Sequence, residues 1–174
     1  MNRYRDDPEA VRALVREDSV HRDVYLSSEL FELEMRHLWR NTWIYVGHDS
    51  QVPNAGDYIT TELARQPVIM LRDAEGTVRV LMNRCAHKGA SVLSAREGHC
   101  EGGLLRCPYH GWTYRLDGSI RTIPIKSGYE GTALATSGAA AGIAPVRNVA
   151  IHRGFVFARL SETAPKAKVT TGEV

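Results

Sequence analysis

Two short segments constrain this chain more than anything else in it. Cys85-Ala86-His87 and Cys107-Pro108-Tyr109-His110 each set one cysteine close to one histidine, and residues 88 to 106 lie between them, giving C-x-H-x19-C-x2-H. In an extended backbone, residues i and i+2 project to the same side. A tight turn brings i and i+3 together, and Pro108 and Gly111 favour a turn there. Each half therefore offers one thiolate and one imidazole, and two such loops can close over a two-metal core. A zinc site is the competing reading of the same four residues. Cys2His2 zinc sites usually pair cysteine with cysteine and histidine with histidine, so the mixed halves count against it.

The bulk properties narrow the field without choosing within it. At 174 residues the chain suits one domain with short extensions, large enough to bury roughly 70% of its unfolded surface. Its 22 basic and 20 acidic residues are well mixed and leave a net charge of +2, so neither a nucleic-acid stripe nor an acidic arm is present. The first twenty residues lack the apolar run of a secretory signal, and no stretch approaches the length of a membrane span. A cytoplasmic location and no membrane contact are the expectation. Three cysteines favour a metal or redox role over a disulfide framework.

The patterning divides the chain. Asp7 as N-cap and Pro8 at the first helical position predict a helix to about Glu17, with Val11, Leu14 and Val15 on one face. A second helix is expected from Ser27 or Ser28 to about Asn41, its stripe formed by Phe31, Met35 and Leu38 and widened by Leu30 and Trp39. From Trp43 the pattern turns to strands: 43–46, 58–63, 67–72 and 77–82, the last two joined by the turn Asp73-Ala74-Glu75-Gly76. Residues 94–103 read as a polar loop, 112–115 and 119–123 as a hairpin around Asp117-Gly118, 127–142 as irregular, 146–149 as a short strand and 154–160 as the last strand. The expected organisation is a helical segment at 1–42, a mainly β domain of antiparallel sheets at 43–160, and a loose tail at 161–174.

The motif segments NRCAHKGA and RCPYHGWTYRLDG resemble the two cluster-binding loops of Rieske proteins. More narrowly, they look like the N-terminal domain of the large (alpha) subunit of Rieske non-haem iron ring-hydroxylating oxygenases. The passage LSSELFELEMRHLWRNTWIYVGH, the NAGDY turn and the GFVFARL strand carry the same likeness, over roughly residues 20–160. The resemblance implies a 2Fe–2S cluster, with Cys85 and Cys107 on one iron and His87 and His110 on the other. Two ferric ions, two sulfides, two thiolates and two neutral imidazoles sum to zero charge, which raises the potential above that of a four-cysteine cluster. High-potential relatives add a disulfide between the loops, where this chain has Ala90 and Tyr109. They also place a serine near the position of Trp112. The low-potential class is therefore expected.

The same resemblance implies one-electron transfer within aromatic hydrocarbon catabolism. A ferredoxin or a flavin-dependent reductase would be the donor. An oxygenase catalytic domain with a mononuclear Fe(II) would be the acceptor, reached through His110, and self-association into a homo-oligomer is expected. That second iron takes two histidines and one carboxylate. After His110 the chain has His152 as its single histidine, so this chain alone is not expected to oxygenate a substrate. Alternatives are a stand-alone Rieske ferredoxin, disfavoured by the N-terminal helices, and a zinc-stapled binding module. The spacer of nineteen residues suggests a small insertion around Glu97–Gly102 in a surface loop. Cys100 and His99 read as ordinary loop residues, Trp39, Trp43 and Trp112 as core, Trp112 and Tyr109 as shields of the cluster, and Lys88 and Arg106 as solvated charges.

Overall fold

The computed structural model describes residues 3–132 and 142–161. The expected tail from 162 onward and residues 133–141 of the expected irregular stretch lie outside the described residues. The described residues divide into two compact units, 3–42 and 43–161.

In the first unit Asp7 caps α1 (Pro8–Arg12), its side chain accepting from the amides of Glu9 and Ala10. The helix stops at Arg12, five residues short of the expectation, because the chain turns so that Leu14, buried, joins the core while Val15 is left exposed. A single helical turn, α2 (Asp23–Leu26), was not expected. Ser27 caps α3 (Ser28–Glu34), which widens into a π-helical turn over Met35–Trp39. The apolar stripe differs from the one read in the sequence. Leu30 is the buried residue of α3, packed with Tyr4 and Leu14, whereas Phe31, Leu38 and Trp39 are exposed. Glu29 accepts from the amides of Arg3, Tyr4 and Arg5, tying the start of the chain to α3.

The second unit is antiparallel throughout. Among its described residues it holds three sheets: β1 (Ile44–His48), β10 (Phe155–Arg159) and β9 (Asn148–His152) in that order; β4 (Val78–Met82), β3 (Gln66–Arg72), β2 (Asp57–Leu63) and β5 (Glu97–His99); and β6 (Leu104–Arg106), β7 (Thr113–Arg115) and β8 (Ile120–Thr122). The β3–β4 hairpin turns where predicted. Asp73, buried there, accepts from the amides of Glu75 and Thr77 and pairs with Arg79. Strand β3 has apolar side chains on both faces. Val68 and Met70 enter a core with Val46, Ile59, Val80 and Val156, while Ile69 and Leu71 enter a second core with Leu81, Leu105, Trp112 and Tyr114. The alternation is the period of two of a strand covered on both sides.

Four expectations are corrected here. The predicted polar loop at 94–103 contains β5, an edge strand paired to Asp57–Ile59 of β2. It is followed by Cys100, which is buried in the second core and is no surface-loop residue. The strand expected at 146–149 runs from Asn148 to His152, since Val146 turns inward and bonds backbone to backbone with Val80. Of the tryptophans, Trp112 is core but Trp39 is exposed.

Candidate metal centre

The two motif segments are built alike. The first follows β4 and the second joins β6 to β7. In each, the cysteine amide donates to the carbonyl five residues on, Cys85 to Ala90 and Cys107 to Trp112, both at 2.8 Å. In each, a glycine four residues on donates back to the cysteine carbonyl, Gly89 at 2.9 Å and Gly111 at 3.0 Å. Both glycines sit at positive φ, 74° and 69°, where a Cβ is disfavoured. The loops differ in where the histidine falls, two residues after Cys85 and three after Cys107.

The sequence does not advertise what anchors the first loop. Asn83 is buried, and its Oδ1 accepts from the amides of Val92 (2.9 Å) and Leu93 (3.0 Å) while its Nδ2 donates to the Leu93 carbonyl (2.7 Å). One side chain thus closes both strands of the loop base.

Of the four predicted residues, the two histidines meet at the loop tips and the two cysteines share one core cluster. Cys85 and Cys107 are buried, with no disulfide partner. The His87 and His110 rings approach to 4.7 Å between centroids. His87 is half-buried and His110 exposed. Burial, and then the neighbouring charge of His110, lower the pKa of His87, so it is disposed to the neutral form a metal requires. Its Nδ1 is buried without a hydrogen-bond partner. A buried, unpaired ring nitrogen is costly unless something occupies it, and a metal ion would occupy it. Among the described residues, no three Cys, His, Asp or Glu side chains gather around a single point. A two-iron core asks for two protein donors per iron.

The surroundings are aromatic. Trp112 is buried and stacks on His87 at 4.9 Å and 3°. Tyr129 stands edge-on to both rings, with its hydroxyl 3.4 Å from His87 Nε2. Tyr114, fully buried, places its hydroxyl 2.9 Å from Cys85 Sγ and 3.2 Å from the Ala86 amide. Neither Tyr114 nor Tyr129 was singled out from the sequence, and the partners they meet lie 29 and 42 residues away. Tyr109 lies against His110, with centroids 3.8 Å apart, but it is 63% exposed and is thus an outer neighbour of the site more than a lid. Lys88 and Arg106 are exposed, as read. His99 is bound to Asp57 at 2.8 Å and Cys100 sits in the core with its thiol pushed up to about 11, first by burial and then by Asp57; neither joins the site.

Comparison with known proteins places the chain in a domain family. Residues 42–138 match the model of the Rieske [2Fe-2S] domain. Over 146 residues the chain is 34% identical to the anthranilate 1,2-dioxygenase large subunit of Acinetobacter baylyi, a match covering 83% of this chain and 30% of that protein. Naphthalene 1,2-dioxygenase from Rhodococcus sp., solved with indole bound, superposes with a TM-score of 0.76 at 27% identity, over 90% of this chain and 35% of that one. A quaternary ammonium Rieske monooxygenase, whose structure was described in terms of carnitine oxidation and inter-subunit electron transfer, gives 0.73 at 30% identity, over 82% and 37%. The chain thus spans about a third of the length of the proteins it matches. No helix among the described residues is long and apolar enough to cross a membrane. With more than half its length matched to the domain and the paired loops folded as two equivalent turns, the chain belongs to the Rieske [2Fe-2S] family.

Proposed function

We propose that Cys85, His87, Cys107 and His110 hold the 2Fe–2S cluster, and that the chain is the electron-transfer part of a ring-hydroxylating oxygenase alpha subunit. The buried and unpartnered Nδ1 of His87, in a domain whose two motif thiols are also buried and free, is the observation that carries the assignment. A cluster bound there supplies one-electron storage. The chain's own residues do the rest: the loop turns fix the cysteines, Trp112 stacks on one imidazole, and Tyr114 donates toward one sulfur. Exposed His110 is the side at which an acceptor would sit. A mononuclear iron held in a separate catalytic domain would be that acceptor, and a ferredoxin or flavin-dependent reductase the donor. The likeness to a large subunit acting on anthranilate supports an aromatic, carboxylate-bearing substrate. The likeness to a quaternary ammonium Rieske monooxygenase, at 30% identity, supports the reading that this domain does not itself choose the substrate.

Ultraviolet–visible and electron paramagnetic resonance spectra of anaerobically purified chain, before and after dithionite, test the assignment. A brown protein with a low-average-g signal on reduction is expected. A colourless protein carrying zinc would overturn it.

A further inference from the structure

The segment after β8 is used in an unusual way. Pro124 lies against the second loop, close enough that a Cβ on Gly111 would stand 3.4 Å from its Cγ. Five residues later Tyr129 reaches the first loop, meeting His87 and Trp112 and packing on the core to which Trp112 belongs. Between these two seats the backbone is forced. Ile125 adopts φ 54° and ψ 51°, a left-handed conformation that a β-branched residue rarely takes, and its side chain is 81% exposed. An isoleucine gains nothing from that strain at an exposed position. The strain persists because the contacts on either side over-determine the path.

We propose that residues 124–129 form a strap that seals the His87 side of the site from water and from an electron partner, leaving His110 as the open imidazole of the pair. Tyr129 is its positioning residue. This rests on the reading that the four loop residues hold a cluster. With Nδ1 of His87 on iron, Nε2 carries the proton and donates it toward the Tyr129 oxygen. The ring of Tyr129 then excludes solvent, while its oxygen makes the imidazole a slightly better electron donor to iron.

The test uses the whole chain loaded with its cluster, comparing wild type, Tyr129→Phe and Tyr129→Ala. Two readouts serve: the reduction potential, and the deuteron modulation of the reduced cluster's electron spin echo in heavy water. Tyr129→Phe keeps the ring, so its modulation should match wild type while the potential moves upward. Tyr129→Ala should also deepen the modulation, by about twofold, as two imidazoles are wetted in place of one. Unchanged modulation in a loaded Tyr129→Ala chain overturns the seal. If that variant does not hold a cluster, an unchanged potential in Tyr129→Phe overturns the proposal. A wild-type chain that is colourless after reconstitution sinks the cluster reading itself, and does so before any variant is compared.

Discussion

Tyr114 shows how much one buried side chain can decide. The Ala86 amide donates to its hydroxyl oxygen, which leaves the phenolic proton for Cys85 Sγ. Burial first, and the Cys85 contact second, hold the phenol well above its usual pKa, so it remains a donor. A hydrogen bond into a ligand sulfur removes negative charge from it and favours the reduced state. Tyr114→Phe is therefore expected to lower the reduction potential. A differential of about 1 kcal/mol corresponds to roughly 40 mV for a one-electron couple. Redox titration of the loaded variant checks it, and an unchanged or raised potential would contradict the donor role. The absent serine near Trp112 and the Tyr114 contact pull in opposite directions, so the low-potential expectation from the sequence rests on the net of two effects.

The paired loops carry the next prediction. Gly89 and Gly111 hold equivalent positions at positive φ, but open space surrounds the first and Pro124 approaches the second. Alanine at either should cost about 1–2 kcal/mol from the backbone alone, with Gly111→Ala the worse of the two. Denaturant midpoints of the two variants give the comparison, and equal losses would remove any role for Pro124. Strand β5 offers a pH test. The His99 hydrogen bond first, and the Asn54 amide next, lower the pKa of Asp57. A carboxylate depressed in the fold stabilises it above the unfolded pKa and loses that contribution as pH falls through the folded one. Protection of the β2–β5 amides is thus expected to fade below the ordinary carboxylate range while β3–β4 amides hold, as amide exchange at stepped pH would reveal.

These elements also mark what the sequence could disclose. The ligand spacing and strands β2, β3 and β4 were legible because their signals are local: short Cys/His intervals, alternation, and a turn marked by Asp73 and Gly76. Strand β5, Glu-Gly-His, has no apolar alternation because it is a short exposed edge. The β2–β3 turn uses Ala64 and Arg65 at φ 48° and 63°, with no glycine to announce it. Along α3, helical spacing identifies an apolar face without saying which residues of it are buried, and here Leu30 is buried and Phe31 exposed. Asn83 and Tyr114 stand inside the motif segments, but their partners lie at least nine residues away, as does the His87 partner of Tyr129, so spacing alone does not disclose what they do.

Taken whole, the chain is two units of different construction, and every contact described at the metal centre lies within Trp43–Glu162. We propose that this unit is a domain in its own right. A chain cut to residues 43–162 is expected to unfold in one cooperative step and to hold as much iron as the full chain. Iron analysis of the purified piece decides it, and loss of iron would give the helical unit a share in the site. The shared strand β3 has a consequence for how such experiments read. Its amides are shut away from water by side chains on both faces, so they should surrender their protons last. Isotope kept at residues 68–71 then dates the scaffold, while isotope lost at 85–90 and 107–112 dates the loops. An iron-free preparation whose scaffold clock runs slow and whose loop clock runs fast would be folded protein awaiting its cluster, and could be told from misfolded protein without any iron being added.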